Sequence, residues 1–539
     1  MIYVVGSGPS GVSAAWALSG RGLAVTLLDA GLDLEPERAA DVARLQGPPG
    51  AWPPEALERI KGRTAASPSG VSVKYVHGSD YPYRPVGPDP FELHGVATHR
   101  SFSRGGHSNV WGAAALPCRE SDTRDWPVSV RELEPHYRAV LEFMPYAGAD
   151  DDLSDLFPAA SPTAPPLRAS RQGQALLDDL RAAREPLRAA GFTCGAARLA
   201  VRTREGDAAG AACSYCGMCL FGCPSESIWS SRHALPALEA RGVRYEPGQV
   251  VERLREGPAG VTLEVRDARD GRRRALAAER VFLAAGVLST AAIALRSLTS
   301  LEGRRLTLRC SEYFLLPFLR YRGVGDVAQE EAHTLAQAYL ELDDPAIDRH
   351  SVHLQLYGYN ELYRRGLEAV LGPALGLLGA PTELALSRLH VIQGYLHSDV
   401  SSRVEARLLD DDRAEFRGVP NPLARQLARG VAFALLRHQR HLRGVPLLPL
   451  LSVGAPGAGS HLGSSFPMAR APRGLQSDLL GRPPGWERIH LIDASVLPAI
   501  TSTTITFTTM ANAHRIAAEA AERFCSPRTP LELASQEPQ

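Results

Sequence analysis

The first thirty residues constrain this chain more than any other stretch. Ile2-Tyr3-Val4-Val5 is a β-branched and aromatic run ending in Gly6-Ser7-Gly8-Pro9-Ser10-Gly11. An Ala-rich helical segment, Val12 to Leu18, follows, and a second apolar run, Ala24 to Leu28, closes on Asp29. The order is strand, glycine turn, helix, strand, acid. Gly6 permits the tight turn, Gly8 lets backbone N–H groups approach a pyrophosphate, and Gly11 lets the helix lie close on the strand. The helix N-terminus turns its positive end toward the phosphates. Asp29 stands where a carboxylate accepts hydrogen bonds from a ribose, which disfavours a 2′-phosphorylated nucleotide. A glycine turn alone is weak evidence. Its place between strand and helix, with the acid at the expected distance, sets it apart from an ordinary βα turn.

A chain of 539 residues needs two or three domains, which can interleave. A hydrophobic content of 44% and 59 basic against 59 acidic residues describe a globular protein. Zero formal net charge gives no ground to expect nucleic acid or an anionic surface as partner. The first strand begins at residue 2, which leaves no room for a signal peptide, and no run of about 18 apolar residues suggests a spanning helix. The expected compartment is the cytoplasm. There, eight cysteines read as metal ligands or core thiols before disulfides.

Ser103-Arg104-Gly105-Gly106-His107-Ser108-Asn109-Val110-Trp111-Gly112 sets small residues around an indole, suited to a tight loop or to a segment running flat beside a planar ring. Glu132 to Tyr137 opens a helix, residues 148–172 read as a polar surface loop, and Gln172 to Ala190 as an amphipathic helix. Then comes the sharpest chemical signal, Cys213, Cys216, Cys219 and Cys223 followed by Pro224. The x2, x2, x3 spacing repeats the bacterial ferredoxin run. Thiolates suit an iron–sulfur cluster (4Fe-4S, or 3Fe-4S held by three of the four) or zinc, and unmetallated cysteines are the third reading.

From Arg244 to Gly286 the pattern returns to strands, with Val250 and Val251 in one and Arg280 to Ala284 in another that ends in small residues at Gly286. Two later segments alternate: His353, Gln355 and Tyr357 share one face, and His390, Gln393, Tyr395 and His397 mark another strand. They read as an antiparallel pair whose polar-aromatic face floors a substrate pocket or meets solvent. Leu362 to Leu386 is Leu-rich and reads as a core helix pair, or as a surface element touching membrane or a greasy substrate.

Taken together, Gly6 to Gly11 with Asp29, Gly105 to Gly112, Ala284 to Thr290, the His461 segment, Asp493 to Pro498 and the Thr-rich run into Met510 to Ala513 resemble the glucose–methanol–choline (GMC) oxidoreductase family, in collinear order. The resemblance implies an α/β fold: a Rossmann-like FAD-binding domain with an interleaved α+β substrate domain on an antiparallel sheet. The boundaries would be 1–120, 200–305 and 455–525 for FAD, with the cysteine-rich loop 211–226, then 121–199 and 306–454 for substrate, and a tail at 526–539. Gly6, Gly8, Gly11, Asp29, Gly105, Gly106, Ser108, Asn109, Val250, Gly286 and Asp493 are the expected FAD-binding residues. The implied reaction oxidises an alcohol by hydride transfer to flavin N5, with His461 as base. An imidazole that titrates near neutral pH suits that role.

The chain departs from the family pattern in three places. Thr504-Ile505 stands where the family carries a second catalytic Asn or His, usually before Pro, and a threonine hydroxyl can orient a substrate oxygen but not act as base. Val110 stands where some members carry a flavin-linking histidine, so noncovalent FAD is expected. The cysteine run resembles that of bacterial sugar dehydrogenases of the family with a cluster near the flavin, which implies a redox protein or quinone as electron acceptor. The expected function is therefore an FAD-dependent alcohol dehydrogenase acting on a sugar, polyol or glycoconjugate. The alternatives are an oxygen-using oxidase with structural or zinc-binding cysteines, and a noncatalytic or electron-transfer flavoprotein. Peripheral membrane contact stays open.

Overall fold

The computed structural model describes residues 1–62, 74–87, 91–205, 210–298, 305–365, 379–410 and 412–525. A five-stranded parallel sheet gathers segments far apart in sequence, in the order Ile489–Leu491, Arg280–Leu283, Ile2–Val5, Val25–Asp29 and Arg244–Pro247. Ile2–Val5 lies at the centre and is buried throughout, as a strand covered on both faces must be. The helix Pro9–Ser19 crosses one face and packs on the C-terminal helix Thr506–Cys525. Buried alanines on both, including Ala14, Ala17, Ala513 and Ala517, let the two axes come close. A meander of Gln249–Gly257, Gly260–Asp267 and Arg273–Ala278 completes this half.

The other half is built on a mostly antiparallel sheet in the order Gly444–Pro446, Glu312–Arg320, Leu389–Leu396, Val352–Tyr357, Ala338–Leu342 and Phe192–Ala196. Its two faces differ in chemistry. Leu354, Leu356, Ile392, Phe314 and Leu316 form an apolar core under the helix Pro422–Arg437, which contributes Leu427, Val431 and Leu435. Gly394 belongs to that face, because a Cβ there would lie 2.0 Å from the Phe314 ring. The register His353↔Tyr395, Gln355↔Gln393 and Glu341↔His353 puts these polar partners on the opposite face, whereas His390, paired with Phe318, falls on the apolar one. The expected antiparallel pair is present, and its polar face is buried rather than solvated: His353 and Gln355 are both nearly inaccessible. A further sheet, Leu462–Gly463, Leu306–Cys310, Arg403–Leu408, Ala414–Val419 and Phe91–His94, stands beside these two.

Some boundaries differ from the sequence expectations for local reasons. The segment expected as one helix over 172–190 divides into Arg171–Ala182 and Arg184–Ala189. Pro186 has no N–H to donate to the preceding turn, so the first helix stops before it. The C-terminal helix starts at Thr506, ahead of Met510, because threonines there need not break it: Thr509 Oγ1 donates to the Ile505 carbonyl at 2.8 Å. Of the Leu-rich stretch, residues 366–378 lie outside the described residues, as does the tail at 526–539. Among the described residues no helix is long and apolar enough to cross a membrane.

Candidate active site

The glycine turn opens on a cavity of about 430 Å³. Gly6 has φ +100°, and a Cβ on it would lie 2.4 Å from the Ala284 carbonyl oxygen of the neighbouring strand. A Cβ on Gly11 would lie 1.8 Å from the Gly6 oxygen, so the first helix seats on the turn only without a side chain. Gly8 is different. A Cβ there meets nothing within 4 Å, because the residue faces the cavity, and Gly286 does the same at φ +83°. Asp29 ends its strand at the cavity wall, where burial pushes its carboxyl up to about 6 while Ser7 and Tyr245 donate to it. Asp493 lies on the opposite side, its carboxylate accepting from Thr290 Oγ1 at 2.6 Å and the Ser495 N–H at 3.0 Å.

Gly6, Gly8, Asp29, Gly106, Val250, Gly286 and Asp493 therefore line one space. Gly11, Gly105, Ser108 and Asn109 stand behind it. Ser108 accepts from the Ser231 N–H at 3.0 Å, and the Asn109 amide donates to Arg104 and Gly106 carbonyls at 2.9 and 3.0 Å. These side chains hold the loop shape, and the loop presents Gly106 and His107 to the cavity. An elongated opening with two bare glycines, a helix N-terminus and a ribose-directed acid fits FAD.

His461 sits where this cavity meets the polar sheet face. Its neighbours Ser460 and Leu462 line the cavity, and its ring stacks on Tyr395 at 4.9 Å between centroids. Burial, with a smaller contribution from His353, lowers its pKa to about 4. The ring is thus neutral across the physiological range, and Nδ1 is buried with no hydrogen-bond partner among the described residues. A neutral, half-buried imidazole beside a flavin-sized cavity can receive a hydroxyl proton.

Behind His461 a hydrogen-bond ladder crosses the sheet. Tyr357 O–H donates to Gln355 Oε1 at 2.8 Å, which leaves the amide nitrogen to donate to His353 Nε2 at 3.1 Å. His353 Nδ1–H then donates to Glu341 Oε1 at 2.6 Å. Tyr357 starts the ladder next to Gly112, where a Cβ would come within 3.5 Å of its oxygen. His353 in turn lies 6.1 Å from Tyr395, ring to ring. Thr504 is buried, and its hydroxyl oxygen accepts from the Leu116 N–H at 3.1 Å, so only its O–H is free to orient another group.

The cysteine loop winds through positive φ at Tyr215, Gly217 and Gly222. It lies against His77: a Cβ on Gly222 would be 2.6 Å from that ring. Cys219 is buried, and Cys213, Cys216 and Cys223 are half-buried. Burial, reinforced by the other thiols of the run, pushes Cys213 up to about 12 and Cys219 to about 11. The four therefore share one neighbourhood, with Lys74 beside Cys219 and Cys223. A single zinc at ~2.3 Å from each sulfur would bring sulfurs to within roughly 4 Å of one another. Among the described residues, the groups of three or more ligating atoms within 4.8 Å are His350–His397–Asp399 and Glu92–His94–Glu415, neither containing cysteine. Among the described residues, neither the iron–sulfur nor the zinc reading of these cysteines finds a gathered ligand set.

Sequence reasoning missed Ser7, Tyr245 and Glu341. Ser7 ties Asp29 to the Gly105 N–H, which donates to its hydroxyl at 2.8 Å. Its place inside the glycine turn was the only available signal. Tyr245 and Glu341 sit on strands whose pairing sequence does not reveal.

Residues 102–307 match the family model described as GMC oxidoreductase, and residues 4–34 match that of an NAD(P)-binding Rossmann-like domain. The fold is similar to the crystal structure of pyridoxine 4-oxidase from Mesorbium loti, with a TM-score of 0.60 and 16% identity, covering 97% of this chain and 99% of that one. No curated protein matches the sequence.

Proposed function

Because the chain belongs to the GMC oxidoreductase family, a flavin-dependent class acting on CH–OH groups, we propose that it oxidises a sugar, polyol or glycoconjugate hydroxyl to the carbonyl. Gly6, Gly8, Gly106, Gly286, Asp29 and Asp493 would hold noncovalent FAD. When bound, FAD supplies an acceptor for the hydride that leaves the substrate carbon. The chain's own work is to bind the hydroxyl, remove its proton and keep water out. His461 takes that proton, and the observation that carries this reading is its half-buried, neutral ring between the cavity and the polar face. The reaction balances: the C–H pair leaves as hydride, the O–H proton goes to imidazole, and the C=O bond forms.

The substrate class rests on the face below. Tyr395 stacks on His461, Tyr313 lies 5.5 Å from Tyr395 between centroids, and the Tyr357–Gln355–His353–Glu341 ladder fixes polar groups behind them. Aromatic planes with directed hydrogen-bonding groups suit a polyhydroxylated ring. Thr504 is assigned an orienting role only.

Electrons would leave through an iron–sulfur cluster on Cys213, Cys216, Cys219 and Cys223 to a redox protein or quinone. The ferredoxin spacing of the four cysteines supports it. The Thr334 N–H donates to Cys219 Sγ at 3.4 Å, a contact of the kind that tunes cluster potential. Anaerobic purification with assay of FAD, iron and acid-labile sulfide tests both parts. FAD with about three or four irons per chain, lost in Cys219→Ser, supports the relay. FAD without iron and with oxygen consumed on turnover would make the chain an oxidase. No flavin reduction by any polyol would remove the catalytic reading.

A further inference from the structure

Charges balance over the whole chain, yet the stretch from Phe416 to Ser477 holds eight arginines and no Asp or Glu. Five of them lie on one helix and the turn after it. The helix Pro422–Arg437 turns Ala424, Leu427, Val431 and Leu435 into the core, which leaves Arg425, Arg429, Phe433 and Arg437 in a solvent-facing row at i, i+4 spacing. Arg440 and Arg443 continue it through the following turn.

Two features distinguish this surface. Most exposed arginines elsewhere lie against a carboxylate, as Arg184 does with Asp152 at 2.7 Å and Arg403 with Glu405 at 3.0 Å. Among the described residues, none of Arg425, Arg429, Arg437, Arg440 and Arg443 forms a salt bridge, and Asp344 lies near His438. Like charges at i, i+4 disfavour the helix that carries them, so the row is kept at a cost to local stability. Large apolar side chains also project here without burial: Phe433 is 55% exposed, Leu450 57%, Leu423 40%, and Tyr321, whose O–H donates to Gln439, 42%.

We propose that this face docks on an anionic lipid surface. Uncompensated arginines supply the attraction, which the neutral whole cannot, and the protruding Phe433, Leu423 and Leu450 enter the headgroup boundary. Arg425 to Arg437 extends over about 18 Å of helix, a row rather than a pocket, which suits a planar array of charges better than one acidic peptide. Surface charge and exposed apolar side chains carry the proposal, independent of the flavin and cysteine readings.

Flotation of the full-length protein with vesicles tests it. We expect binding to phosphatidylcholine vesicles containing anionic phosphatidylglycerol, none to phosphatidylcholine alone, and release at high salt. Arg425→Gln/Arg429→Gln/Arg437→Gln should weaken binding roughly 100-fold. Leu423→Ser/Phe433→Ser should weaken it at fixed charge. All five positions are exposed, so unchanged circular dichroism and urea midpoints serve as the folding control. Absence of binding at low salt, equal binding to neutral vesicles, or a triple variant that binds like the parent would overturn the proposal. So would a dimer that the triple variant abolishes, which would make the face a contact between copies of this chain.

Discussion

Replacing Gly8 and Gly11 by alanine should have opposite effects, although the two lie three residues apart in one turn. In Gly11→Ala the new methyl sits 1.8 Å from the Gly6 oxygen and 3.0 Å from its carbonyl carbon. Contact between such atoms is comfortable at roughly 3.5 Å, and the obstruction is backbone at the end of the central strand, so the helix must lift. Overpacking of this kind costs about 3 kcal/mol or more, a large part of the roughly 5–15 kcal/mol that holds a domain folded. In Gly8→Ala the methyl meets nothing within 4 Å, and Gly8 has φ −64° and ψ 175°, values alanine adopts freely. The apoprotein should be unchanged, or about 0.4–1 kcal/mol more stable through the lost freedom of the unfolded chain. The methyl would, however, stand where the pyrophosphate passes. FAD at 100 times its Kd should stabilise the parent by about 2.7 kcal/mol and Gly8→Ala by almost nothing. Urea midpoints with and without added FAD, with flavin-to-protein ratios after purification, read both effects. A Gly8→Ala protein that keeps flavin and its FAD-dependent stabilisation would refute the cradle as described. A stable Gly11→Ala would refute the close seating of the helix.

His461→Ala should lower kcat by about 10²–10⁴-fold while flavin content stays normal, as for loss of a general base. Because burial lowers the His461 pKa to about 4, the parent's rate should be flat from neutral pH down to about 5 and fall only near 4; a fall centred near the ordinary histidine value contradicts the assignment. Glu341→Gln should reduce kcat more than it changes KM or FAD content, since it disturbs the ladder behind Tyr395 without touching the cavity, and steady-state kinetics with flavin titration separates these effects. Acid should destabilise the fold early. His77, His333 and His390 are buried and His461 is half-buried, all with pKa values lowered from 6.5 to about 4, so below pH 6.5 the unfolded chain binds protons that the folded chain refuses. Each group can remove about 2 kcal/mol by pH 5, and the urea midpoint should drop steadily between pH 6.5 and 4; a flat profile would show these rings to be solvated.

The sequence carried the nucleotide half well because its signals are local. The turn Gly6 to Gly11 and the acid at Asp29 lie within one βαβ unit, and the small residues ending at Gly286 follow their own strand. The polar face was visible as alternation through His353, Gln355 and Tyr357, but not that it is buried, since burial depends on what packs above it. Glu341 escaped notice for the same reason: Ala338–Leu342 reads as a plain strand until its register with Val352–Tyr357 sets the carboxylate against His353. His461 was singled out by family resemblance, and its lowered pKa and unpartnered nitrogen belong to tertiary structure alone. The basic face was hidden by an average. Zero net charge is true of the chain and untrue of the surface around Arg425 to Arg443.

His461 would take the hydroxyl proton of an alcohol whose hydride FAD, held in this cavity, would accept. Anaerobic mixing of the purified holoprotein with a panel of sugars and polyols, followed through the visible flavin band, tests it most directly. Rapid bleaching by at least one of them is expected, slowed about 10²-fold or more in a flavin-replete His461→Ala protein. Bleaching at the same rate in both would contradict the assigned base, and a flavin that no alcohol reduces would contradict the claim itself.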